Sequence, residues 1–169
     1  MIKIGDALPH VTLHELPLAA DGSCSTEGPQ AFVLPDAAVG KTIALFSLPG
    51  AFTPTCSEQH VPGYLEQHEA LRAAGVDEIW CMAVNDAFVM SAWGAQLGVG
   101  DRIRMIADGD AAFAQATGLT LDLSGKGFGV RSQRYSMLVR DGKVEQLNIE
   151  APGKFQVSDA ETLLGQLKG

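Results

Sequence analysis

The stretch KTIALFSLPGAFTPTCSEQHVPGYLEQHEAL, residues 41–71, changes its periodicity in the middle. Residues 41–48 form a continuous apolar run of strand length, as expected of a central strand covered on both faces. Pro49 and Gly50 end the run. Thr55 and Glu58 then stand at the T-x-x-E spacing of a capping box, which makes Thr55 the expected N-cap and Cys56 the first helical residue. Tyr64, Leu65, His68 and Leu71 recur at three- and four-residue intervals and draw one helical face. Pro62 is expected to bend this helix, because proline has no amide hydrogen and crowds the preceding turn. A thiol therefore stands where a strand hands over to a helix.

Outward from this unit, EIWCMAV (78–84) reads as a second buried strand, parallel to the first across a strand–helix–strand connection. NDAFVMSAWGAQLG reads as a helix capped by Asp86, RIRMIAD (102–108) as a strand, and DAAFAQATG as a short helix begun by Asp110. RYSMLVRDGKVEQLNIE alternates on both sides of Asp141-Gly142, a dipeptide suited to a tight hairpin turn, and Ser158-x-x-Glu161 is placed to cap a terminal helix. Upstream, VTLHEL and AFVLP are short extended pieces joined by a polar loop from Ala19 to Gln30. This order predicts an α/β, thioredoxin-like fold, a central mixed sheet flanked by helices with an N-terminal β extension. No repeat or linker divides the chain, so residues 1–169 are read as a single domain.

The 169 residues are 46% hydrophobic and 19% charged, enough for a sizeable core. A net charge of −8 argues against a nucleic-acid partner, whose recognition rests on clustered Lys and Arg. No apolar stretch reaches the ~18–20 residues of a membrane span, and the first residues, MIKIGDALPH, lack the pattern of a secretory signal, so a cytoplasmic protein is expected. Cys24, Cys56 and Cys81 are too few, and odd in number, for a disulfide framework. No C-x-x-C occurs, and His10, His14, His60 and His68 do not combine with the thiols at zinc spacing, so no metal is expected.

A helix start is a place for a reactive thiol. The first-turn N–H groups lack helical partners and the macrodipole is positive there, which favours an anion such as the thiolate, the nucleophilic form of cysteine. Thr53 and Thr55 add hydroxyl groups, and Pro49 and Pro54 stiffen the loop. Threonine, proline and glycine are poor neighbours for a cysteine used only as a small hydrophobe.

The segment PGAFTPTCSEQHVPGY resembles the active-site segment of the type II, peroxiredoxin-5-like thiol peroxidases, at Pro49, Thr53, Cys56, His60 and Pro62-Gly63. The likeness continues in GVDEIWCMAVNDAFVMSAW and GVRSQRYSMLVRDGKVEQLNIE, and its pattern is nearest to plant and bacterial members linked to glutathione or glutaredoxin. The resemblance implies a peroxidatic Cys56 that attacks the O–O bond of hydrogen peroxide or an organic hydroperoxide, forms a sulfenic acid, and needs no cofactor. It implies that Thr53 binds a peroxide oxygen and that Arg134 holds negative charge, with Arg131 as the competing arginine. Pro49 shields the sulfur, Phe52 and Phe128 are candidate pocket walls, and His60 is read as a structural histidine bonded to the backbone.

Sulfenic acid must be reduced before further oxidation. The segment IEAPGKFQVSDAETLL lacks the resolving cysteine that some relatives carry there, and the resemblance implies Cys81, at the place of the second cysteine of plant-type members, as the candidate resolving thiol. An external thiol such as glutathione or glutaredoxin is ranked ahead of Cys81, thioredoxin stays open as the alternative reductant, and Cys24 is read as incidental. Phe52, Phe88 and Trp93 are too many apolar groups for a monomer to expose, so a homodimer is expected. A peroxide sensor using the same cysteine, and a binding scaffold with Cys56 inert, are the alternative readings.

Overall fold

The computed structural model describes residues Met1–Gly169. In chain order its elements are β1 (Val11–Glu15), β2 (Gln30–Leu34), a short 3-10 turn (Asp36–Ala38), β3 (Thr42–Ser47), a π-helical turn (Cys56–His60), α1 (Val61–Glu66) and α2 (His68–Ala73). There follow β4 (Glu78–Ala83), α3 (Ala87–Leu97), β5 (Arg104–Ala107), α4 (Ala112–Thr117), β6 (Thr120–Leu123), β7 (Gly129–Ser132), β8 (Tyr135–Arg140), β9 (Lys143–Ile149) and α5 (Ala160–Lys168).

The main sheet has the order β2-β1-β5-β4-β3-β8-β9. Its centre, β3 with β4 and β4 with β5, is parallel, and the pairs toward both edges are antiparallel. The apolar runs of the central strands follow from burial on both faces. Ala44, Phe46, Ile79, Cys81 and Ala83 point to a core shared with α1, α2, α3 and α5. Ile43, Leu45, Trp80 and Met82 point to the opposite core, closed by Phe113 of α4 and by the N-terminal residues Ile2 and Leu8. This is the mixed, helix-flanked sheet of the thioredoxin-like class, and β1–β2 is its N-terminal β extension.

Several local readings need correction. The helix after β3 does not start at Thr55, which has helical angles and makes no side-chain cap. Ser57 N–H already bonds Thr53 O, so Pro54 takes the first helical position, where its missing N–H costs nothing and its fixed φ fits. Thr53 is thus the cap residue and Cys56 the third helical one. Pro62 stands just after an irregular turn. It offers no N–H, and there the helix widens to π geometry, with Val61 N–H reaching back to Cys56 O. The helix also breaks at Gln67, which separates α1 from α2.

Asp108, not Asp110, caps α4, accepting from Phe113 N–H and Ala114 N–H. Asp159, not Ser158, caps α5, accepting from Thr162 N–H. Asp86 does cap α3, accepting from Val89 N–H. The Asp141-Gly142 turn has φ of 48° and 74°, the paired positive values of a type I′ hairpin. The β6–β7 ribbon had no counterpart among the expected elements.

Candidate active site

The loop from β3 to the helix is held from three sides. Asn85, at the C-terminal end of β4, accepts Ala51 N–H on Oδ1 at 2.9 Å. Arg131 donates from Nη1 to Pro49 O at 3.4 Å and from Nε to Phe128 O at 2.9 Å. Thr53 donates its hydroxyl to Gly50 O at 2.7 Å. A Cβ on Gly50 would lie 2.9 Å from Arg131 Nη1, so a larger residue there would push the guanidinium aside. Phe52 has a φ of 64°, a costly conformation for a bulky residue, and its ring lies against Trp93. Trp93 Nε1–H in turn donates to Ser57 Oγ at 3.1 Å, beside Cys56.

Cys56 is fully buried in the helix-side core. Arg134, at the start of β8, donates from Nη2 to Cys56 Sγ at 3.2 Å and from Nη1 to His60 Nδ1 at 3.0 Å. His60 also bonds Ser158 O through Nε2 at 3.0 Å. A guanidinium only donates and a carbonyl only accepts, so the imidazole is neutral with its proton on Nε2. Burial, and then the Arg134 charge, pull His60 down from 6.5 to about 3, against the opposing Ser158 hydrogen bond and the Glu150 and Asp159 charges. The imidazole thus remains a neutral acceptor that fixes the guanidinium.

Behind His60 the segment after β9 is fixed by one carboxylate. Glu150 Oε1 accepts from Gln156 N–H, Val157 N–H, Ser158 N–H and Ser158 Oγ–H at 2.7–2.9 Å. Burial alone would raise its pKa, and these hydrogen bonds outweigh it and hold the carboxyl below its ordinary value. Phe155 from this segment packs on His60 and beneath Arg134. A cavity of about 710 Å³ opens beside Arg134, between β6 with its turn and residues 150–155, with Pro49 and Thr55 on its wall. Another, of about 600 Å³, lies between Leu16–Gly22 and Gly100–Met105 and includes none of the expected site residues.

Thus the structure joins Arg134 to Cys56 and places Pro49 on the wall of the cavity beside Arg134, while Thr53 is held in the connecting loop by its bond to Gly50 O. The Thr53 hydroxyl proton is directed at Gly50 O, so Thr53 offers an incoming group its lone pairs. Arg131 braces the loop that carries Pro49 and makes no contact with the sulfur. His60 bonds the backbone as expected, and its bond to Arg134 was not foreseen. Asn85 and Glu150 were missed altogether. Asn85 could have been suspected from its place between the β4 run and a helix cap. Phe52 and Phe128 are partly exposed, at 49% and 44%, and neither lines the cavity beside Arg134, where Phe155 stands instead. Trp93, expected at the surface, is completely buried. Cys81 lies fully buried in β4, where burial, and then the Cys56 charge, raise its pKa well above the ordinary thiol value despite Arg134. Cys24 is exposed in the loop before β2.

A buried sulfur whose polar partner is a guanidinium suits attack on a small electrophile that carries its own leaving group, the work of thiol peroxidases built on the thioredoxin-like fold. The comparisons agree. The Redoxin family profile matches residues 3–164. Peroxiredoxin sll1621 of Synechocystis is 49% identical over 137 residues, 77% of this chain and 72% of the relative. The chloroplastic Peroxiredoxin-2E-2 of rice is 45% identical over 169 residues, 98% of this chain and 72% of the relative. The crystal structure of reduced Prx3 from Vibrio vulnificus in complex with hydrogen peroxide superposes with a TM-score of 0.90 at 47% identity, covering 99% of each chain. The chain belongs to the redoxin family, and within it to the type II, peroxiredoxin-5-like peroxiredoxins, which are thiol-dependent peroxidases.

Proposed function

We propose that Cys56 is the peroxidatic nucleophile, that Arg134 and Thr53 position the hydroperoxide, and that an external thiol completes the cycle. The observation that carries this reading is the 3.2 Å contact from Arg134 Nη2 to Cys56 Sγ. The guanidinium stands where it can meet the negative charge that passes from sulfur to oxygen during the attack. Thr55 N–H and Cys56 N–H, first-turn donors without helical partners, and the Thr53 lone pairs supply the remaining polar contacts. The thiolate attacks one peroxide oxygen, the S–O bond forms as the O–O bond breaks, and the alkoxide leaves and takes up a proton as ROH. Sulfur, two electrons more oxidised, is left as Cys56–SOH.

A thiol RSH then displaces that oxygen as water, giving a mixed disulfide, and a second thiol releases Cys56 and RS–SR. Glutathione with glutaredoxin is the favoured reductant. Cys81 is the weaker candidate because its buried, protonated thiol is a poor nucleophile and its strand is paired on both sides. The whole chain acts as one domain. A homodimer is proposed from the exposed Phe52 and Phe88, now without Trp93. A reducing compartment, the cytoplasm, suits its three free thiols.

The test is peroxide consumption by the wild type, Cys56→Ser and Cys81→Ser, supplied with glutathione plus glutaredoxin or with thioredoxin. Cys56→Ser should consume no stoichiometric peroxide, and Cys81→Ser should retain glutaredoxin-supported turnover. Loss of turnover with both reductants in Cys81→Ser, with a normal first oxidation, would make Cys81 the resolving thiol.

A further inference from the structure

The cavity beside Arg134 has a charge opposite to that of the molecule. The chain carries 20 acidic and 12 basic residues, yet the cavity lining holds three of the basic ones, Arg134, Lys126 and Lys154, and a single acidic one, Glu150. The Glu150 oxygen that the structure engages is occupied by the amides and hydroxyl of residues 156–158. Alternation along β6 keeps the nearest other carboxylate away, since Leu121 and Leu123 line the cavity and Asp122 between them does not. Asp122 instead accepts Ser124 N–H.

Lys126 and Lys154 come from opposite walls, the β6–β7 turn and the segment after β9, and both side chains are exposed. Neither forms an ion pair within the chain. Between the lysines and Arg134 the wall is apolar, with Leu121, Leu123 and Phe155. At about 710 Å³ the space is of the size that takes a small organic molecule, and far more than hydrogen peroxide needs.

We infer that this cavity binds small molecules bearing a carboxylate, with the carboxylate between Lys126 and Lys154 and the reacting group toward Arg134 and Cys56. The inference rests on the reading of Cys56 and Arg134 given above. The same chemistry has two sources, an acidic organic hydroperoxide arriving as substrate or an anionic thiol such as glutathione arriving as reductant. A polar anion at one end and an apolar wall leading to Arg134, which contacts the sulfur, suit either one, because in both the carboxylate lies some distance from the reacting atom.

The experiment compares each acid with its own ester, so that changes in intrinsic reactivity cancel. Linoleic acid hydroperoxide and its methyl ester, below micellar concentrations, probe the oxidative step by rapid mixing. Glutathione and its diethyl ester probe reduction of the preformed sulfenic acid. In Lys126→Gln/Lys154→Gln the acid-to-ester ratio of kcat/KM should fall about 3- to 10-fold in at least one arm, and high salt should bring the wild type toward the same ratio. A fall in the hydroperoxide arm assigns the site to substrate, a fall in the thiol arm to reductant, and a fall in both to both. The control Lys3→Gln/Lys168→Gln removes the same charge from exposed positions that do not line the cavity and should keep the wild-type ratio. Unchanged ratios in both arms, or an equal fall in the control, overturn the inference. Failure of the wild type to consume hydrogen peroxide through Cys56 would instead overturn the reading on which it rests.

Discussion

Acidification should destabilise this protein through one buried imidazole. His60 has an ordinary value of 6.5 and sits at about 3 in the folded chain, so between these values the unfolded chain binds a proton that the native chain excludes. Stability is therefore fully present above 6.5, falls as the pH drops, and has lost the whole contribution by about 3. At ~1.36 kcal/mol per pH unit the full span is worth about 5 kcal/mol, and at about pH 4.5 the loss is about 2.7 kcal/mol. That is a large share of a typical domain's ~5–15 kcal/mol. The structural causes are first the burial of the ring and then the contact of Nδ1 with Arg134, which protonation would turn from a 3.0 Å hydrogen bond into a like-charge pair. Urea denaturation of the wild type and His60→Gln at about pH 7 and about pH 4.5 measures the effect. Glutamine keeps a donor for Ser158 O and cannot titrate, and carboxylates titrate in both proteins and cancel to first order. The wild type should lose about 2–3 kcal/mol more than the variant over this interval. Parallel losses in the two proteins would refute the reasoning.

Arg134→Ala removes a charged donor from sulfur, and by rapid mixing with hydrogen peroxide the oxidation of Cys56 should slow by about 10- to 100-fold, the kinetic equivalent of ~1.5–3 kcal/mol. Arg131→Ala loses a 3.4 Å bond to Pro49 O and should slow it less than about fivefold, and equal effects would show that Arg131 shares the role. Thr53→Ser should retain most of the rate and Thr53→Val should not, because the valine can neither hold Gly50 O nor accept from a hydroperoxide. Glu78→Gln should cost about 1–3 kcal/mol in urea denaturation, since Lys41, Trp80 and Arg104 all donate to this carboxylate. Burial opposes ionisation of Glu78, those donors outweigh it and bring its pKa to about 2, and its contribution should fade as the pH drops from 4.5 toward 2.

The central sheet was legible because strands covered on both faces must be apolar throughout, and β3 and β4 are. The place of the thiol near a helix start was legible from the Pro49-Gly50 stop and its polar, proline-rich neighbours, but those neighbours gave no sign that the sulfur itself is buried in the core. What failed was choice between adjacent signals. Thr55 and Glu58 have the spacing of a capping box, but Pro54 fits the first helical position better and moves the start upstream. Asp108 and Asp110 both precede α4, and only the buried position of Asp108 at the end of β5 decides between them. The four-residue strands β6 and β7 are separated by a glycine-rich stretch, and the T-L-D-L alternation of β6 is too brief to distinguish it from a loop. His60 and Arg134 lie 74 residues apart, and Glu150 acts on backbone amides that any sequence supplies. Such contacts are products of the tertiary fold and leave no local periodicity.

The proposed cycle makes unequal demands on the first helical turn. Hydrogen peroxide is small and needs only a slight local loosening beside Arg134 to reach the sulfur, which has no exposed surface in the closed form. A thiol must approach sulfur in line with the bond being broken, and Cys56 has no exposed surface in the closed form. Reduction therefore requires opening. The closed turn is held by Arg134 on Sγ, by Trp93 on Ser57 and by His60 between Arg134 and Ser158. Against these stand the positive φ of Phe52, worth ~1–3 kcal/mol of strain, and a widened turn in which Pro62 donates nothing. Conversion of sulfur to sulfenic acid places an oxygen beside a guanidinium that stands 3.2 Å from Sγ, so the Arg134 contact must rearrange at the moment when opening is needed. Peroxide attack then depends on the closed turn being well made, and recycling on its being only marginally stable.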